Sequence, residues 1–241
     1  MIAFSSGLLL WTSAAFADMS SKPLAAEGPR SSTTVSGSRL NPVVAPGAPL
    51  PPGAADVVVY ASDIPAAARH GSWTTASDPA SPNGVKLVTS DVGFVAANAP
   101  LPNPIDYVDV TFDVSAGTPY AVWLRLRASG DSMLNDSVWV QFSDATANGA
   151  SVYPINTSAG LLVNLATDGS GSSLKEWGWQ HTAYWLSQPT TVTFPTGGTH
   201  TLRIQVREDG VQLDQIVLSP GKYLKAAPGP VSNDSTIVSK G

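Results

Sequence analysis

The sequence predicts an all-β fold, an antiparallel β-sandwich of about eight or nine strands. Three observations lead there. Apolar residues recur with a period of two over several eight- to ten-residue stretches, as strands with one buried face require. The 241 residues include 21 glycines and 20 prolines with only 13% charged residues, the composition of a chain with many turns. No stretch of any length shows the 3.6-residue period of an amphipathic helix.

Taken in chain order, short strands are expected at 56–60 and 84–89. YVDVTFDV then places Val108, Val110, Phe112 and Val114 on one face and Tyr107, Asp109, Thr111 and Asp113 on the other. Ala116 and Gly117 turn the chain into PYAVWLRLRA, whose inward set is Tyr120, Val122, Leu124 and Leu126 and whose outward set includes Trp123, Arg125 and Arg127. SVWVQFS repeats the alternation, with Val138, Val140 and Phe142 inward and Trp139 outward. Short strands follow at 161–165 and 190–194. THTLRIQVRED directs Leu202, Ile204 and Val206 inward; Asp209-Gly210 marks a hairpin and VQLDQIVL returns.

Length and composition bound the organisation. One sizeable domain fits a chain of this length better than two small ones. A formal charge of -5 with scattered basic residues excludes nucleic acid as a partner, since phosphate binding needs clustered lysine and arginine. Residues 2–17, IAFSSGLLLWTSAAFA, read as the apolar part of a signal peptide ending at Ala17, although no basic residue precedes the run. The run is too short for comfortable membrane insertion, so the chain is expected to be secreted or to sit at the cell surface. Residues 18–55, with seven prolines, read as a linker, residues 56–224 as the sandwich, and residues 225–241 as a flexible tail. There is no cysteine, so no disulfide framework supports the exported domain.

The residues of catalysis form no recognisable constellation. His70, His181 and His200 lack the close spacing of a zinc motif, no G-x-S-x-G elbow occurs, and no carboxylate pair stands out among the 18 acidic residues. The chain is therefore read as a protein without enzymatic activity.

KEWGWQHTAYW, residues 175–185, concentrates three tryptophans and a tyrosine beside the flexible-looking DGSGSS. Trp177 and Trp179 are two apart and share a face of an extended chain, a spacing suited to two neighbouring sugar rings. The same pair can instead cap the sandwich or cover the outward Trp123 and Trp139. For Trp123 and Trp139 themselves, cover by the Trp177 segment or stacking on Arg125 or Arg127 competes with a role as the floor of a binding face. Trp73 reads as core.

The order YAVWLRLRA, NDSVWVQF, EWGWQ and GGTHTLRIQVREDGVQLDQIVLSP resembles the galactose-binding-like β-sandwiches, in particular the carbohydrate-binding modules of families six and thirty-five. It is similar to modules of secreted bacterial proteins ending in a REDG-x-x-(L/I)DQIVLSP signature, across about residues 56–224. The resemblance implies a jelly-roll that binds polysaccharide or other glycans without catalysis, through loop aromatics and polar side chains. Carried onto this chain, it implies Trp177 and Trp179 as platforms and Glu208 and Asp209 as polar contacts, and Tyr184, Trp185 and Asn135 complete the candidate ligand-binding set. It also implies a structural calcium between the first and last strands. Asp214 matches the C-terminal ligand, while only Asp63 stands where relatives show Glu-x-Glu; a turn hydrogen bond is the other reading of Asp214. The alternative to a glycan-binding module is a structural, adhesive or filament-forming subunit that assembles with copies of itself or a larger surface protein by strand addition through its extended termini.

Overall fold

The computed structural model describes residues 54–241, so the expected signal peptide at 1–17 and nearly all of the expected linker at 18–55 lie outside the described residues. Fourteen strands run in the order β1 (Val57–Tyr60), β2 (Arg69–His70), β3 (Thr74–Ser77), β4 (Val85–Val88), β5 (Tyr107–Val114), β6 (Tyr120–Ala128) and β7 (Ser137–Phe142). They continue as β8 (Thr146–Ala147), β9 (Ala150–Ser151), β10 (Leu161–Asn164), β11 (Gly178–Gln180), β12 (Thr191–Val192), β13 (Gly198–Val206) and β14 (Val211–Ser219). All the ladders between these strands are antiparallel, so the all-β class and the sandwich follow as expected.

The first sheet is built around the long pair β6 and β14. On the far side of β6, β11 and β12 lie end to end; on the far side of β14, β4 and β1 do the same, with β3 beyond β4. The second sheet runs β10-β7-β13-β5-β2. The inward sets named from the alternation meet between the sheets: Val108, Val110, Phe112, Val122, Leu124, Leu126, Val138, Val140, Phe142, Leu202 and Ile204 form one buried cluster. Phe194 sits at its centre, with ring centroids 5.5 Å from Phe112, 5.9 Å from Phe142 and 6.3 Å from Tyr120, all edge-to-face. Trp73 is buried in the same core, as expected.

β14 breaks its own alternation. Leu213 and Ile216 both face the core, and a register shift between Leu213 and Gln215 leaves Asp214 as the extra residue of a bulge. Two consecutive side chains, Asp214 and Gln215, therefore turn to the outer face, where each finds a partner. The bulge falls where β4 gives way to β1 as the neighbour of β14.

The tail expected to be flexible lies packed on that outer face. Gln215 and the backbone of Val238 exchange hydrogen bonds, Trp179 donates its backbone N–H to Pro230 O at 3.0 Å, and its indole N–H reaches Thr236 O at 3.2 Å. Trp123 donates to Tyr223 O at 2.8 Å, and Trp123, Trp179, Val217, Tyr223 and Val238 form a second buried apolar cluster. The Pro and Ser content that reads as loose chain serves here as an extended strap without regular strand structure. A terminus invoked for strand addition to a neighbour is thereby engaged with its own sheet.

Gly178 makes this contact possible. A Cβ at that position would stand 1.8 Å from Val231 O and 2.3 Å from its carbonyl carbon, both backbone atoms that cannot rotate away. Gly178→Ala should therefore lift the strap from β11, lowering stability by about 1–3 kcal/mol in urea denaturation and opening residues 225–241 to limited proteolysis; an unchanged midpoint and cleavage pattern would show the contact to be unimportant.

Candidate functional site

The Trp-rich segment divides into two parts. Trp177 and Trp179 are each only 1% exposed, so neither ring offers a platform, correcting that expectation. Trp179 lies on β11 between Trp123 and the strap, and Trp177 stacks on the Arg125 guanidinium, whose central carbon is 5.1 Å from the ring centroid. The physical reason is the outer face of β6: Ala121, Trp123 and Arg125 point away from the core, and leaving them in water would forgo about 25 cal/mol per Å² of apolar surface. Trp123 is thus covered by Trp179, one of the two alternatives raised for it, whereas Trp139 packs instead with Leu162 and Ala183.

Tyr184 and Trp185 are the exposed aromatic residues of the segment, at 45% and 47%. Trp185 is the exposed tryptophan among the described residues; Trp73, Trp123, Trp139, Trp177 and Trp179 are buried. The two rings meet edge-to-face with centroids 4.5 Å apart. The Arg207 guanidinium approaches the Trp185 ring at 5.9 Å.

The loop bearing these rings is fixed from below. Ala183 is buried against Trp139 and Leu162. Asn164 N–H donates to Thr182 O at 3.1 Å, Leu162 N–H to the Gln188 side chain at 3.0 Å, and Gln188 Nε2 to Gly160 O at 2.9 Å. Residues on either side of Tyr184-Trp185 are thereby tied to β10, and the turn between them closes with Leu186 N–H on Ala183 O at 3.0 Å.

The expected polar contacts hold loops instead of facing a ligand. One Asp209 oxygen accepts the backbone N–H groups of Val92, Gly93 and Phe94 at 2.6, 2.7 and 3.3 Å, with its side chain buried in that nest. Asn135 is buried and donates to Asp91 at 3.0 Å and to Ser129 O at 3.1 Å. Glu208 is buried, accepts Ser137 Oγ at 2.6 Å and Asp136 N–H at 3.3 Å, and is paired with Arg207. Asp136, beneath it, also accepts Asn164 Nδ2 at 2.5 Å and Ala166 N–H at 2.9 Å. Burial first, and then the hydrogen bond with the Glu208 carboxyl, pushes Asp136 up to about 8. Asp136 lies in NDSVWVQF and Arg207 opens the REDG signature, yet neither carries a site role in the sequence reading, because only the fold brings 136, 164 and 208 together.

The carboxylates expected to hold calcium do not fit the ion. Asp63 accepts the Tyr60 N–H at 2.6 Å and pairs with Lys240 Nζ at 2.6 Å. Asp214 is fully buried and pairs with Arg125 Nη1 at 2.5 Å. Burial raises the Asp214 carboxyl to about 7, with Arg125 and Ser81 opposing. Each expected ligand thus already faces a side-chain cation, and among the described residues no group of three or more histidine or acidic side chains is placed to share a metal. Among the described residues, no helix is long and apolar enough to cross a membrane.

The family model of the glycosyl hydrolase family 115 C-terminal domain matches residues 112–232. No curated protein matches the chain. Similar solved structures include the GH26-CBM35 β-(1,4)-mannanase of Podospora anserina, at 12% identity and a TM-score of 0.41 over 70% of this chain and 28% of that one. This chain thus spans little more than a quarter of that enzyme. The C-terminal family 6 carbohydrate-binding module of a Zobellia galactanivorans laminarinase is 10% identical, with a TM-score of 0.38 over 68% of this chain and 98% of the module. A family 35 module of Clostridium thermocellum is 14% identical, with a TM-score of 0.35 over 68% and 98%.

The raised Asp136 gives stability a sign-defined pH dependence. Its ordinary value is 3.8 and its folded value about 8, so folding takes up a proton between them. The stabilisation is complete below the ordinary value and is lost as pH rises through the folded one, at no more than about 1.4 kcal/mol per pH unit. Urea midpoints should fall from about pH 5 to pH 8, with a shallower fall in Asp136→Asn; parallel profiles for the two proteins would remove Asp136 as a source of the dependence.

Proposed function

The chain belongs to the glycosyl hydrolase family 115 C-terminal domain family, and on that premise we propose that it is an exported, non-catalytic module that binds polysaccharide through Tyr184 and Trp185. The observation that carries this reading is the pair of half-exposed rings on an anchored loop, in a chain whose other described tryptophans are buried. A pyranose ring presents a flat C–H face and a rim of hydroxyls. The indole face suits the former, and the Tyr184 hydroxyl with the neighbouring Arg207 guanidinium suits the latter.

Anchoring matters for affinity. With Ala183 buried and Gln188 tied to β10, the aromatic turn loses little freedom when a sugar docks, which favours binding by a small contact area. A single site of this size supports dissociation constants on the order of micromolar to millimolar. Repetition along a polysaccharide, or linkage to an enzyme, would raise retention through effective concentration.

The buried Asp136 and Glu208 pair supports a non-catalytic role. Hydrolysis needs two carboxyls about 5 Å or more apart flanking an accessible bond, and these two are buried, with the Asp136 backbone N–H donating to Glu208 and Glu208 paired with Arg207. Export rests on the apolar run at residues 2–17 and its small-residue end at Ala15 and Ala17.

Affinity electrophoresis through gels containing mannan, xylan, β-glucan or galactan tests the reading. The native chain is expected to be retarded by at least one polysaccharide, and Tyr184→Ala/Trp185→Ala to lose that retardation, about tenfold or more in dissociation constant, while its melting temperature stays close to native. Equal retardation of native and double variant would refute the site, and release of reducing sugar by the native chain would refute the non-catalytic role.

A further inference from the structure

The mismatch between the expected calcium ligands and their actual partners leads to a specific assignment. We infer that the Arg125 guanidinium is the structural cation of this fold, occupying the role expected of a metal ion, and that the chain needs no calcium for stability.

Arg125 has no exposed side-chain surface, and neither do the two aspartates it pairs with. Its Nη1 donates to Asp214 at 2.5 Å and to Ala80 O at 3.3 Å, its Nε to the Asp234 carboxylate at 2.7 Å, and its Nη2 to Asp234 O at 2.8 Å. Four donor contacts thus go to four oxygens from three separate parts of the chain. One is the loop before β4, one the bulge of β14, and one the C-terminal strap. Trp177 covers the guanidinium face. A calcium ion would join oxygens in the same way, but at 2.3–2.6 Å and from at least six ligands.

The arrangement is built into the sequence at two points. Register on β6 sends Arg125 outward opposite Gln215, and the bulge turns Asp214 to the same side. Asp234 comes from the tail, held there as Asp234 N–H donates to Trp177 O at 2.8 Å and as its carboxylate accepts Thr236 N–H at 3.0 Å. A divalent ion at Asp214 would be forced beside a guanidinium that cannot lose its charge. Nothing in this argument depends on the glycan site.

Thermal melting and metal analysis of the secreted chain test the assignment. After dialysis against millimolar calcium, the native chain is expected to hold no stoichiometric calcium, and its melting temperature in calcium and in EDTA should agree within about 1 °C. A rise of several degrees in calcium would overturn the claim that the chain needs no calcium, and a rise that Asp214→Asn abolishes would place the ion at Asp214 and overturn the role assigned to Arg125 as well. Asp234→Asn keeps the shape of the strap while removing one charge. It should melt several degrees lower, equally in calcium and EDTA, with faster proteolytic loss of residues 225–241. Native melting and native cleavage in that variant would likewise overturn the assignment. Neither result bears on Tyr184 and Trp185, so the glycan reading stands or falls separately.

Discussion

A guanidinium buried on the outer side of a sheet constrains much of what surrounds it. Removed from water, the Arg125 charge would cost several kcal/mol unless opposite charge and hydrogen-bond acceptors came with it. Supplying them takes a bulge in β14 to turn Asp214 outward, and a C-terminal strap to deliver Asp234. Once the strap is in place, it covers the apolar Trp123, Trp179 and Val217 with Tyr223 and Val238. The inner core would form from the alternation alone. The outer layer over the first sheet exists because ionic and apolar demands converge on the same segment.

The inner layer was legible because period-two patterning is local. Each of the long strands β5, β6, β7 and β13 shows its inward set within its own six to nine residues, and the core contains those side chains. Gly210 was equally readable: it follows Asp209 in a hairpin position, and has a φ of 74° with Asn135 against its Cα. The short strands β2, β3, β8, β9 and β11 were not legible, because they lack the valines and leucines that mark the equally short β1, β4, β10 and β12.

The aromatic segment was misread for a different reason. Sequence marks a tryptophan as costly to expose, but burial depends on which other part of the chain arrives to cover it. Trp177 and Trp179 are covered by Arg125 and by residues 230–238, some fifty positions away, whereas Trp185, with Arg207 at 5.9 Å from its ring, stays half-exposed. The same applies to the acids: Asp209 and Glu208 are ordinary hairpin residues in the sequence, and their burial follows from the 92–94 and 136–137 loops folding over them. The one sequence clue that was available lay in LDQI, where Leu213 and Ile216 are three apart and break strict alternation.

Both main sheets end in short margins. The outermost strands of the first are β11 and β12 on one side and β1 and β3 on the other; those of the second are β10 and β2, and none exceeds four residues. A few unpaired amides give an incoming strand little to register against. Copies crowded side by side on a solid surface therefore present each other with broken, mismatched borders, and dense accumulation need not pass into fibrous growth.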